Sequence, residues 1–200
     1  MQTEQNRSDE MFIRQVLEGR QEVFALLVQR HANMLLHFVG RMIPVREEAE
    51  EVVQDALLAA YQRLSDFDAQ RAPFAVWLKR IAFNTTTHYL REHRLTFIPI
   101  NESLDNGNAT TDAALDRLLS EGGPDLKELL DSALEQLRPE ERTLLHLFYT
   151  DGRPLNEIAF ILNLTDEAHP DRAVSTLTSR LHRIRKKLFE TIKRLRNEYQ

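Results

Sequence analysis

Apolar residues in this chain recur at intervals of three and four positions, which is the spacing of one face of an α-helix. The clearest stripe contains Val52, Ala56, Ala60 and Leu64, and the opposite face of that segment is mostly acidic. No segment shows the strict alternation of apolar and polar residues that a half-buried strand would need. The pattern therefore predicts an all-α protein built from amphipathic helices.

Turn-forming residues interrupt this periodicity in the middle of the chain, for example at Gly122-Gly123-Pro124. Residues 96–135 hold two basic and nine acidic side chains, so their net charge is 2 − 9 = −7. An acidic segment with few aromatic residues is typical of an extended tether. We therefore predict a small helical domain at 1–95, an extended acidic linker at 96–125 and a second small helical domain at 126–200.

The first domain is expected to contain four helices. The stripes predict a short helix near 9–18 and a long one near 22–42. The acidic helix then follows Pro44, and a last helix has Pro73 in its first turn, where proline is tolerated. Four packed helices suffice for one compact domain.

The second domain has the element order of a helix-turn-helix, with a short helix followed by a long basic one. From Arg172 to Arg196 the chain holds nine Lys and Arg residues against one acid, Glu190. The long helix is expected to begin near Pro170 or Asp171. Its cations would neutralise phosphates, and an arginine can bond a guanine edge through two hydrogen bonds.

Several classes of function are excluded by what the sequence lacks. Without cysteine, disulfides and thiolate sites for zinc are not expected. No apolar run approaches the roughly 20 residues of a membrane span, and the N-terminus has no signal-peptide core. His31 and His37 are six positions apart, which is not a same-face pair. We expect a cytoplasmic protein that is not an enzyme, with no catalytic residue, no metal and no cofactor.

Four segments resemble the extracytoplasmic-function (ECF) sigma factors of bacterial RNA polymerase. Residues 48–56 (EAEEVVQDA) and 74–84 (FAVWLKRIAFN) resemble sigma region two. Residues 155–159 (LNEIA) and 179–188 (SRLHRIRKKL) resemble sigma region four. The blocks stand in the family's order, with a linker between them. The resemblance implies an alternative sigma factor that directs promoter-specific transcription initiation.

The resemblance also implies three interfaces. In the family, the VVQ-containing helix docks on the clamp helices of the largest subunit of core polymerase, and the matching positions are Glu51, Gln54, Asp55 and Leu58. The loop before the tryptophan helix and an asparagine within that helix capture a flipped base of the minus-ten element beside phosphate-binding cations; here these are Phe67, Ala69, Gln70, Arg71, Lys79, Arg80 and Asn84. Region four contacts the polymerase flap and the minus-thirty-five element, and the matching positions for DNA are Arg172, Thr178, Ser179, Arg180, His182, Arg183 and Lys186.

The turn before the long helix departs from the family. Between Thr165 and Ser175 it is about eight residues longer than a helix-turn-helix needs. Either the turn bulges or the helix gains about two turns at its N-terminus, which would bring Arg172 and Ser175 toward DNA.

Partners other than promoter DNA and core polymerase follow from the same resemblance. An anti-sigma factor is expected to regulate the chain, and the linker would either enter the polymerase channels or act as a plain tether. Two other functions stay open at this point. The chain could be a sigma mimic that sequesters an anti-sigma factor, or a stand-alone helix-turn-helix regulator.

Overall fold

The structure, a computed structural model, describes residues 2–93, 115–117, 120, 126–164 and 170–198. The described residues are helical or lie in turns, with no strand among them. The predicted all-α fold is confirmed. Most of the predicted linker, 96–125, lies outside the described residues. Contacts divide the chain into two units, which are described separately.

Unit 1 comprises Met1–Phe97 together with Asn156–Thr165. Its main helices, with two short 3₁₀ turns at Gln21–Val23 and Leu64–Asp66, are α1 (Gln2–Leu17), α2 (Phe24–Gly40), α3 (Arg46–Gln62) and α4 (Phe74–Glu92).

Helix α3 begins just after Pro44, and Glu47 and Glu48 in its first turn suit the positive end of the helix dipole. Its apolar stripe packs against α2 and α4. The core that results includes Leu35 and Phe38 of α2 and Leu78 of α4, each 1% exposed or less. Burial of these stripes, rather than helix propensity, is what stabilises helices of this length.

Two boundaries differ from the prediction. Helix α1 begins at Gln2 instead of near Asp9, because its first residues are polar and give no apolar stripe to detect. Pro73 is the N-cap of α4 and precedes the first helical residue, Phe74.

Unit 2 comprises Ile98–Leu155 together with Asp166–Gln200. Its described helices are α5 (Leu126–Glu135), α6 (Pro139–Leu145), which continues into a π-helical turn (His146–Thr150), and α8 (Pro170–Glu198).

Helix α8 begins at Pro170, as the sequence indicated, and α5 and α6 pack against it. Leu177, Ile184 and Ile192 of α8 are buried. Gly152 closes the π-helical turn with φ of +59°, a conformation that favours glycine.

The short helix α7 (Leu155–Ile161) lies in the sequence between the π-helical turn and α8. Contacts assign most of it to unit 1, whereas the sequence placed it inside the second domain at 126–200. The predicted domain boundaries therefore stay a prediction.

Candidate functional site

Four side chains of α3 form one exposed face. Glu51, Gln54, Asp55 and Leu58 are all exposed, and their spacing of three and four residues puts them in one row along the helix. Leu58 is an apolar side chain left 55% exposed among acids. We call this row the α3 face.

A shallow apolar groove borders the α3 face, and sequence reasoning did not detect it. It has a volume of about 380 Å³. The lining residues are Gln21, Glu22, Phe24, Ala25, Leu57, Leu58 and Tyr61. The rings of Phe24 and Tyr61 meet edge to face, with centroids 5.0 Å apart. The groove could have been suspected from Leu58, an apolar residue among polar positions.

The loop between α3 and α4 combines a packed base with an exposed tip. Phe67 is half-buried and meets the rings of Phe74 and Trp77 at centroid distances of 5.4 and 5.6 Å. Phe74 is buried and Trp77 is half-buried, as expected for residues that serve mainly in packing.

The three predicted loop residues at the tip are exposed: Ala69, Gln70 and Arg71. Asp68 Oδ1 accepts the backbone N–H of Gln70 at 2.9 Å, a short-range bond that shapes the turn. The side chains of the tip are therefore exposed to solvent, whereas Phe67 packs against α4 at the start of the loop.

The three predicted DNA-contacting residues of helix α4 lie in different environments. Asn84 is exposed, and it lies one turn beyond Arg80 on the same face. Lys79 is 6% exposed, and its ammonium lies 5.8 Å from the centroid of the Phe38 ring. Lys79 is therefore the least accessible of the three residues, and its contact with the minus-ten element stays a prediction.

Arg80 is held within unit 1 by Phe160 of α7 and by Asn163, which follows that helix. Its guanidinium lies over the Phe160 ring, 4.5 Å from the centroid, and donates to Asn163 Oδ1 at 2.6 Å. Asn163 has φ of +57°, which asparagine tolerates better than most residues. Arg80 is thus oriented by protein contacts in this structure.

The predicted DNA residues of α8 do not all share one face. Arg172, Ser179, Arg183 and Lys186 follow one another at helical spacing on the side opposite the buried Leu181 and Ile184. These four residues form what we call the α8 stripe. Thr178 and His182 lie along one edge of this stripe, and Arg180 lies along its other edge.

A buried carboxylate connects α6 to α8. Glu141 Oε2 accepts the Lys187 ammonium and the Arg138 backbone N–H, each at 2.9 Å. Nearby, Arg185 donates to Asp116 Oδ1 at 2.8 Å and to the Tyr149 hydroxyl. The bonds from Lys187 and Arg185 join residues far apart in sequence, and no motif predicted them.

The part of the chain that the structure describes contains no group of three or more metal-ligating side chains. None of its described helices has the length and apolar character that crossing a membrane requires.

Comparisons with known proteins identify two regions of the chain. The sequence model of Sigma-70 region 2 matches residues 27–96, and that of Sigma-70 region 4 matches residues 127–188. The chain is 30% identical over 186 residues to the ECF RNA polymerase sigma-E factor of Escherichia coli, covering 89% of this chain and 91% of that protein. It is 29% identical over 188 residues to the ECF RNA polymerase sigma factor SigW of Bacillus subtilis, covering 92% and 96%.

A solved structure is also similar. CnrH, in complex with the cytosolic domain of CnrY, matches with a TM-score of 0.56 and 26% identity, over 90% of this chain and 94% of that one.

The two region matches fall on the segments that hold the α3 face, Asn84 and the α8 stripe. The chain therefore belongs to the ECF sigma factor family, and it is an alternative sigma factor that directs transcription initiation.

Proposed function

We propose that the α3 face binds the clamp helices of the largest subunit of core RNA polymerase. The observation that supports this most strongly is the joint exposure of Glu51, Gln54, Asp55 and Leu58 in one row. An acidic row that ends in an apolar side chain suits a basic coiled coil, because charge steers the encounter and the apolar contact is dehydrated. Leu58, which also lines the apolar groove, would be the apolar anchor, and the carboxylates of Glu51 and Asp55 would pair with cations.

The loop tip and Asn84 would then hold the minus-ten element as a single strand. An asparagine amide both donates and accepts hydrogen bonds, so it can contact the edge of a base that has left the stack. Unstacking costs a few kcal/mol, and binding of the extruded base offsets that cost. Arg71 at the loop tip is exposed and would contribute charge toward phosphate. No covalent step is needed, because capture of the single strand shifts the duplex toward the open form.

The α8 stripe would contact the minus-thirty-five element in the major groove. Arg172, Arg183 and Lys186 supply the positive charge, and Ser179 lies between them. Helix α8 begins at Pro170, so Arg172 lies in its first turn and Ser179 lies more than two turns into the helix. The same domain would contact the polymerase flap, and the acidic linker would lie between the two DNA-binding parts.

An anti-sigma factor is the regulatory partner that we propose, by analogy with CnrH, whose structure holds the cytosolic domain of CnrY. Such a partner would occupy the polymerase-binding surface and keep the chain inactive in the cytoplasm. The α3 face and its apolar groove offer it both charge and apolar area.

A charge reversal tests the polymerase contact. Asp55→Arg places a cation in the acidic row, and we expect at least a tenfold loss of affinity for core polymerase, since like charges across an interface cost several kcal/mol. Glu18→Arg is the matched control, because it makes the same charge change at an exposed site at the end of α1. Fluorescence titration of labelled chain with core polymerase measures both. Equal affinity of Asp55→Arg and the wild type would reject the proposed contact.

A further inference from the structure

Asp9 is a buried carboxylate that none of the proposed interfaces uses. It lies in α1 and is 1% exposed. Its Oδ2 lies 2.9 Å from Nε2 of His31, and its Oδ1 accepts a hydrogen bond from the Arg30 guanidinium at 2.5 Å. A second nitrogen of Arg30 donates to the Ser8 hydroxyl oxygen at 3.2 Å. Because a buried carboxylate is costly without partners, these bonds keep Asp9 in place and fix α1 against α2.

His31 itself is 3% exposed, and its ring contacts a second group besides Asp9. The ring meets Phe74 edge to face, with centroids 5.4 Å apart and planes at 72°. A hydrogen bond to one ring nitrogen sets both the tautomer and the orientation of a histidine. The Asp9 bond therefore sets the plane that His31 presents to Phe74.

Phe74 also contacts a residue of the loop between α3 and α4. Its ring meets Phe67 edge to face at 5.4 Å and stacks on Trp77 at 5.7 Å, and Phe67 also meets Trp77 at 5.6 Å. Phe67 is the residue at which the chain leaves the 3₁₀ turn and enters the loop. A continuous series of contacts therefore runs from Asp9 through His31 and Phe74 to the base of the loop.

We propose that Asp9 and His31 are positioning residues for single-strand capture by the loop tip. The proposal rests on the proposed role of that loop. When the residues at the start of the loop are already fixed, the loop loses less conformational freedom as it closes on an extruded nucleobase. The single strand then binds more tightly. Asp9 touches no DNA in this account and acts only through His31 and the aromatic rings.

A purely structural role for Asp9 makes a different prediction. Helix α1 also buries Ile13 and Val16 in the core. Val16→Ala loosens the packing of α1 without touching the bond between Asp9 and His31. If Asp9 only anchors the helix, Val16→Ala and Asp9→Ala will have the same effect on the loop. If Asp9 positions the loop, only Asp9→Ala will affect strand binding.

The experiment compares the wild type with Asp9→Ala, Asp9→Asn, His31→Gln and Val16→Ala. Holoenzyme assembled with each variant is titrated with a single-stranded non-template oligonucleotide from a promoter that the wild-type holoenzyme transcribes. We expect Asp9→Ala and His31→Gln to bind it about three- to tenfold more weakly, with unchanged affinity for core polymerase. Asp9→Asn keeps a hydrogen-bonding side chain, so it should stay within about twofold of the wild type, as should Val16→Ala.

A spectroscopic readout in the free chain accompanies the titration. Trp77 is the single tryptophan of the sequence, so acrylamide quenching of its fluorescence reports on the aromatic cluster alone. Quenching should increase in Asp9→Ala and His31→Gln but not in Val16→Ala. Should Asp9→Ala fail to fold, His31→Gln decides the question by itself.

Two results would overturn the inference. One is strand affinity in both Asp9→Ala and His31→Gln that stays within twofold of the wild type, and the other is an equal loss in Val16→Ala. If the wild-type holoenzyme transcribes the promoter but does not bind the oligonucleotide, the proposed role of the loop fails, and the positioning role fails with it. Binding by the wild type with no effect of the variants rejects the positioning role alone.

Discussion

The ammonium of Lys187 lies 2.9 Å from Oε2 of Glu141, and this pair joins the middle of α8 to the first turn of α6. Burial acts to raise the pKa of Glu141, but hydrogen bonds from Lys187 and Arg138 outweigh it and hold the pKa below its ordinary value of 4.5. The ionised carboxylate therefore helps to fix the helix that we propose as the DNA-contacting element.

The pH dependence of stability follows from this lowered pKa. A group whose pKa is lower in the folded than in the unfolded chain stabilises the fold above its ordinary pKa, and that contribution disappears as the pH falls through the folded value. At pH near 7, Glu141→Gln should lower the unfolding midpoint of the second unit by about 4–16 °C, for a loss of about 1–2 kcal/mol. Circular dichroism melts between about pH 3 and pH 7 measure the difference, which should shrink below the ordinary pKa.

Glu135→Gln is the control for this titration, because Glu135 is an exposed glutamate of α5. Its midpoint should match the wild type at every pH. A difference between Glu141→Gln and the wild type that stays constant down to the lowest pH would contradict the proposed ionic contact.

The side chain of Asn84 should matter for promoter opening and not for polymerase binding. Asn84→Ala removes an exposed amide without opening a cavity, so the fold and core affinity should be unchanged. The rate of open-complex formation should fall about tenfold or more, as expected when a site loses a base-specific hydrogen-bonding group. Permanganate footprinting of the opened strand measures it, and Asn33→Ala, at another exposed asparagine, is the control. Loss of core affinity in Asn84→Ala would instead assign this residue a structural role.

Removal of a cation from the α8 stripe should change the salt dependence of upstream binding. Arg183→Ala should weaken binding to the minus-thirty-five element and reduce the slope of log affinity against log salt by about one. Arg196→Ala is the comparison, since Arg196 is an exposed arginine in the last turn of the same helix. Electrophoretic mobility shifts at several salt concentrations give both slopes. An unchanged slope in Arg183→Ala would mean that another face of α8 meets the DNA.

The same substitution at two glycines should have opposite effects on stability. Gly152 has φ of +59°, so Gly152→Ala strains the backbone and should cost about 1 kcal/mol or more. Gly40 ends helix α2, and a Cβ there meets no atom within 4 Å. Gly40→Ala should therefore stabilise by about 0.5–1 kcal/mol. Urea unfolding curves measure both, and a loss of stability in Gly40→Ala would contradict the geometry described for the end of α2.

The helices were predictable wherever a stripe of apolar residues faces a core. The stripe of α3 was visible from the sequence because its opposite face is acidic, and Pro170 marked the start of α8. The polar residues that begin α1 gave no such signal, since they become helical without burying a stripe.

The candidate site was only partly predictable for a related reason. Asp55 in α3 and Asn84 in α4 each lie between the apolar positions of their own helix, so their exposure could be predicted. Lys79 differs, because α4 buries residues around most of its circumference and includes this lysine among them. Contacts such as Asp9 with His31 and Glu141 with Lys187 join residues 22 and 46 positions apart. Neither falls within the reach of a helical repeat, so only the folded structure reveals them.

Run-off transcription with purified core polymerase tests most directly whether the chain gives the polymerase its promoter specificity. Genomic fragments from the source organism serve as templates, with and without the chain. We predict discrete transcripts that core polymerase alone does not make and that disappear with Asp55→Arg but persist with Glu18→Arg. Identical transcripts with and without the wild-type chain, under conditions where core polymerase is active, would contradict the account.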